Sequence, residues 1–245
     1  MPTIKKISSP EDYSTSIDNL SNYSNYEEMF LDYFKNQSHT IYNFSHILSF
    51  FPKNEKGLAL SIGTDIFKEV SLVKNSYFEA IEVWEIQEDL IAIANNFVEK
   101  LKQKIEFVKK NILHEQIIPN KFNTLLLFQM DYIFSDENIK LILAKAQEAN
   151  VKECFIISPS ILHIEFPFPK EKDIFAHDLV KFISLFFESF SLKKKVGNNY
   201  KETHLTYTRT LRSFKKLIKK SYFNIKEIKV IMNSNGSFHL IHLKK

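Results

Sequence analysis

Short apolar runs alternate with longer stretches of helical periodicity through the middle of the chain. Residues 58–62 (Leu-Ala-Leu-Ser-Ile, closing on Gly63) and the runs at 80–85, 104–108, 124–128 and 154–158 have the length and β-branched or aromatic content of buried strands. Between them, helices are predicted near 65–74 and over the stretch carrying Leu90, Ile91, Ala94, Phe97, Val98 and Leu101 on one face. Another is predicted from an N-cap at Ser135, through Ile139, Ile142, Leu143 and Ala146, to Asn150, with Asp136 and Glu137 in the first turn where the helix dipole favours carboxylates. Strand and helix in this rhythm predict a mostly parallel sheet flanked by helices.

The two ends of the chain read differently. Residues 1–22 are polar, and helices are predicted near 26–35 and 40–50 before Pro52 and a polar stretch break the chain, so 1–54 reads as a helical cap. After the fifth strand, residues 161–169 read as a loop, 173–190 as a phenylalanine-rich helix, and 160–206 as an insertion covering a substrate. A helix over 210–220 then precedes two strands, 225–232 and 237–243, whose connection Asn233-Ser234-Asn235-Gly236 signals an antiparallel hairpin. The fold class expected is α/β, Rossmann-like, in one domain over 55–245.

Composition narrows the function. Thirty-three basic against 29 acidic residues, mostly interspersed, is too mild an excess to point to nucleic acid. The single cysteine, Cys154, forbids an internal disulfide and fits a reducing compartment. No run reaches the ~18 apolar residues of a membrane span, and no leader is visible, so a cytoplasmic location is expected. No His/Asp/Glu spacing resembles a metal site. With only four glycines, the chain has few inexpensive positive-φ positions.

Four local features carry a family likeness. The first strand ends in Leu60-Ser61-Ile62-Gly63, similar to an acid-x-Gly-x-Gly-x-Gly cofactor loop; the second ends in an acid, Glu85, about twenty residues later. The run from Phe122 to Glu137 is similar to a fourth strand with its loop, and Tyr207–Ile218 to a last helix before a closing hairpin. In this order of elements the chain resembles a class I S-adenosylmethionine-dependent methyltransferase. The resemblance implies S-adenosylmethionine as cofactor, held by Gly63, Thr64, Glu85, Ile86, Asn111 and Gln129. It further implies methyl transfer to oxygen or nitrogen of a small molecule, which Tyr132 and Arg209 would contact. Because a hydroxyl acceptor needs a base, His163 and Glu165 are the catalytic candidates, and Asp131 lies near the expected pocket.

The loop departs from the pattern at three of four positions: Ser61 stands for the acid, and Asp65 and Phe67 for the later glycines. A second reading therefore stands beside the first, a binding or scaffold protein that keeps the fold without catalysis. Individual residues also have plainer readings: Glu85 as a strand-end carboxylate, Gly63 as a turn glycine, Asn111 as a loop residue, His163 as a surface or capping histidine. The phenylalanine stripe at 173–190 reads first as core. Arg209, Arg212, Lys215, Lys216, Lys219 and Lys220 read first as a solvated face, and otherwise as a surface steering an anionic substrate.

Overall fold

The computed structural model describes Leu48, Phe51 and residues 57–64, 66–128, 130, 131, 133–158, 161, 162, 209–233 and 236–245. The elements in chain order are β1 (Leu58–Ile62), α1 (Ile66–Lys74), β2 (Ala80–Glu85), α2 (Glu88–Lys100), β3 (Ile105–Lys109), β4 (Thr124–Phe128), α3 (Asp136–Glu148) and β5 (Glu153–Ser158). They continue with β6 (Ile161–Leu162), β7 (Arg209–Thr210), α4 (Leu211–Ile218), β8 (Asn224–Asn233) and β9 (Gly236–Lys244). The expected caps at 1–54 and 160–206 fall almost wholly outside the described residues.

Seven strands form one sheet in the order β3-β2-β1-β4-β5-β9-β8. β1 pairs in parallel with both β2 and β4, and β2 with β3, while β8 and β9 form the expected antiparallel hairpin, whose register closes on Asn233 opposite Gly236. The chain winds outward from β1 to β3, then returns to the other side of β1 with β4. Strand order therefore reverses at β1, and the carboxyl ends of strands at such a reversal are where this architecture binds ligands.

The chain divides into two compact units. Of the described residues, one holds those from Leu48 to Phe128 with Ala144–Phe155; the other holds those from Met130 to Leu143 with those from Ile156 to Lys245. In the first, β1 and β4 are buried along almost their whole length, which explains their uninterrupted apolar sequences. Phe51 stacks on Phe155 at 4.4 Å between ring centroids and meets Tyr77, Phe78 and Phe128 edge-on. Such rings account for part of the chain's phenylalanine content. At the sheet edge, the Asn95 amide of α2 both donates to and accepts from the backbone of Phe107 at 2.9 Å, meeting β3 groups that no further strand pairs among the described residues.

In the second unit the predicted cap at Ser135 is present, its Oγ accepting from Asn138 N–H at 3.1 Å. α4 buries Leu211, Phe214, Leu217 and Ile218. Residues 161–162, expected to be loop, instead pair in parallel with 209–210 as the two-residue strands β6 and β7. A two-residue pairing leaves no periodicity for a sequence reading to detect.

Candidate functional site

The carboxyl ends of β1 and β2 bring together four of the residues expected to hold a cofactor. Gly63 ends β1 with φ 74, a left-handed conformation that glycine takes without a Cβ clash, and its N–H donates to Trp84 O at 2.9 Å. That bond carries the β1–β2 ladder one residue past the strand. Next to it, Thr64 Oγ1 donates to Glu85 Oε2 at 2.8 Å. Glu85 Oε1 accepts from the Ile86 and Gln87 amides at 2.7 and 3.1 Å. The carboxylate is thereby fixed in one orientation at the strand end, buried except for a small fraction of its surface. Each of its oxygens has two acceptor sites, so the two amides fill Oε1 while Oε2, with one donor, can take a further one.

The departure at Ser61 has a counterpart in space. Ser61 Oγ donates to Glu69 Oε1 at 2.7 Å, so a carboxylate from the first turn of α1 rests on the residue where the sequence pattern lacks one. Burial, with a smaller contribution from the Glu85 charge, pushes the Glu69 carboxyl up to about 8 against the opposing pull of the Ser61 hydrogen bond, its own backbone amide and Lys68. The neighbouring Lys68 is buried too, and desolvation lowers it to about 8. Nothing in the local sequence marks Glu69. The only available signal was a carboxylate one turn into the helix that follows the cofactor loop.

Asn111 follows β3. Its Oδ1 accepts from Leu113 N–H at 2.9 Å, which closes the turn. Lys145 of α3 donates to the carbonyls of Ile112, Leu113 and Glu115 at 2.8 to 2.9 Å and pins the same loop.

Arg209 is placed differently from the other basic residues with which it was grouped. It lies in β7, buried, with Nε donating to Asp136 Oδ1 at 2.7 Å, Nη1 to Asp131 O at 3.0 Å and Nη2 to Phe134 O at 2.6 Å. Arg212, Lys216, Lys219 and Lys220 are exposed, as a solvated face requires. Asp131 is fully buried and accepts from Ser158 Oγ at 2.6 Å. His163, Glu165, Gln129 and Tyr132 lie outside the described residues. Among the described residues no group of three His, Cys, Asp or Glu side chains is arranged to hold a metal ion, and no helix is long and apolar enough to cross a membrane.

No family model and no curated protein matches the sequence. Solved structures do match the fold. Magnesium protoporphyrin IX methyltransferase (ChlM) of Synechocystis PCC 6803, with S-adenosylmethionine bound, aligns at a TM-score of 0.59 and 8% identity over 95% of this chain and 97% of its own. The mitomycin 7-O-methyltransferase MmcR aligns at 0.57 and 13% identity over 93% of this chain and 60% of its own. A tRNA methyltransferase, TrmK of B. subtilis, aligns at 0.51 and 10% identity over 82% of this chain and 64% of its own. The chain has the class I S-adenosylmethionine-dependent methyltransferase fold. It spans less than two thirds of the length of MmcR and of TrmK. The three neighbours are named for magnesium protoporphyrin IX, mitomycin and tRNA, so the fold by itself selects no acceptor.

Proposed function

We propose that this protein transfers a methyl group from S-adenosylmethionine to oxygen or nitrogen of a small-molecule acceptor. The observation that carries the reading is Glu85, locked by Thr64 and two amides at the carboxyl end of β2, beside the left-handed turn at Gly63. These residues suit the cofactor: the open acceptor site on Glu85 Oε2 can take a ribose hydroxyl, and a glycine there lets the backbone come close to a ligand. When bound, S-adenosylmethionine supplies a methyl group on a sulfonium, open to in-line attack. The protein's part is then to hold donor and acceptor in line and to exclude water.

Within this reading Glu85 takes the ribose, with Thr64 and Ile86 beside it, and Asn111 and Gln129 serve the adenosyl group. Tyr132 is proposed as an acceptor contact, with His163 and Glu165 as the base for a hydroxyl acceptor and the stretches at 1–54 and 160–206 as cover. Arg209 is proposed to position residues 131–136, since its three nitrogens are already engaged there. A second reading, a binding protein that keeps the fold without catalysis, is favoured by Asp65 and Phe67 standing where the pattern has glycines.

Calorimetric titration with S-adenosylmethionine and S-adenosylhomocysteine decides between them. Binding in the micromolar range is expected, weakened by about tenfold to a hundredfold in Glu85→Ala, which loses charge-assisted hydrogen bonds. No binding at millimolar cofactor would overturn the enzyme reading.

A further inference from the structure

Glu69 is a fully buried carboxylate with one oxygen on Ser61, and its other oxygen, Oε2, has no hydrogen-bond partner among the described residues. A buried acceptor without a partner costs free energy, and a donor supplied from outside the chain would recover it. Glu69 stands one turn into α1, directly after the loop at Gly63, and is close enough to Glu85 for the two carboxylates to repel. Its surroundings also bound what fills it. Lys68, its neighbour in sequence, is buried at the same helix start and its charge already favours the ionised Glu69, while Ser61 donates its hydroxyl to Oε1, leaving Oε2 to be met. The missing partner is a donor, and a positive one fits best, because it would restore the ionised form that burial disfavours.

We infer that Glu69, carried on α1 and held by Ser61, receives the ammonium group of the cofactor's amino-acid portion at Oε2, directly or through one water. This rests on the proposed cofactor. It moves a binding carboxylate off the strand end, where the sequence has Ser61, and onto the following helix. The serine then acts as a positioning residue that sets the Glu69 rotamer. It also gives the degenerate loop a physical sense: the acid missing at residue 61 is supplied from residue 69.

Three ligands and one substitution test it. Methylthioadenosine keeps the adenosyl thioether but has no amino-acid group, and S-adenosylhomocysteine lacking its α-amine keeps the carboxylate but not the ammonium. In the unmodified protein the deaminated analogue is expected to bind about tenfold or more weakly than S-adenosylhomocysteine. Glu69→Gln, which keeps the shape and the Ser61 bond, is expected to close most of that gap while leaving methylthioadenosine affinity unchanged. Equal loss for methylthioadenosine and S-adenosylhomocysteine in Glu69→Gln would make Glu69 a structural residue and overturn the inference. So would a deaminated analogue that binds the unmodified protein as tightly as S-adenosylhomocysteine, a result that needs no variant to fold. If methylthioadenosine and S-adenosylhomocysteine both fail to bind the unmodified protein, the cofactor reading falls and takes this one with it.

Discussion

Two buried glutamates in the same compact unit meet opposite surroundings. Glu82, in the middle of β2, accepts from Trp84 Nε1 at 2.7 Å, from Lys110 Nζ at 3.2 Å and from Lys121 Nζ. Lys110 also lies over the Trp84 ring, 4.9 Å from its centroid. Burial alone would raise the Glu82 carboxyl, but the bonds from Lys121, Trp84 and Lys110 together hold it below the usual range. Glu69, at the start of α1, has one side-chain donor and is pushed up to about 8. The donors on Glu82 satisfy it within the fold, whereas Glu69 keeps one buried oxygen without a hydrogen bond among the described residues.

The contrast is broken most directly at Glu82. Glu82→Ala strands the Trp84 indole N–H and leaves two lysines without their anion. A loss of about 2–4 kcal/mol in urea unfolding is expected, with cofactor affinity little changed. The pH sign follows from its lowered carboxyl: the folded form binds fewer protons than the unfolded one below about 4.5. Stability from Glu82 is thus present above that pH and is lost as pH falls through the folded value. Unfolding curves from pH 6 to pH 3 should show a steeper acid loss in the unmodified protein than in Glu82→Gln. Parallel curves would mean the three donors do not act on Glu82 in solution.

Glu69→Gln should act in the reverse sense. Its folded carboxyl is raised, so the folded state holds a proton the unfolded chain has already released between about 4.5 and about 8. The Glu69 contribution is greatest below 4.5 and falls as pH rises to 8, whereas that of the lowered Lys68 recovers only above 8. Glu69→Gln is therefore expected to match the unmodified protein near pH 4 and to exceed it in thermal stability at pH 8. Higher stability with weaker cofactor binding is the mark of a group kept for function. A variant less stable at pH 8 would place Glu69 with Glu82 among the structural carboxylates.

How far the sequence reached differs between these regions for a physical reason. β1, β2 and β4 were legible because strands buried on both faces are nearly all apolar, and their ends placed Gly63 and Glu85 correctly. β3 lies one residue later than predicted; as an edge strand it carries exposed Glu106 and Lys109, which blur its limits. Partners far along the chain were not legible. The lysines on Glu82 come from loops 28 and 39 residues away. Arg209 looked like one more solvated cation until the fold brought Asp136 and two carbonyls to it. α1 ends at Lys74 as predicted, while α2 and α3 stop one and two residues short of the expected Leu101 and Asn150. Lys102 and Asn150, which follow them at φ 52 and 61, stand where glycine is the usual stop signal.

The smallest expected effect is the sharpest test of the pairing at the loop. Ser61→Ala removes the one side-chain hydrogen bond to Glu69 and leaves a small methyl in a fully buried site, at a cost of about 1 kcal/mol. A hydroxyl bonds an ionised carboxylate more strongly than a protonated one, so the cost should be larger at pH 9 than at pH 5. In a Glu69→Gln background the same substitution should cost the same at both values. The four proteins form a double-mutant cycle whose coupling energy, from urea unfolding at each pH, isolates the pair. Coupling that grows with pH means Ser61 holds the charged form, the form a cationic group would meet. Coupling near zero at both values would make the 2.7 Å contact a packing coincidence, and the acid missing from the loop would have no replacement in Glu69.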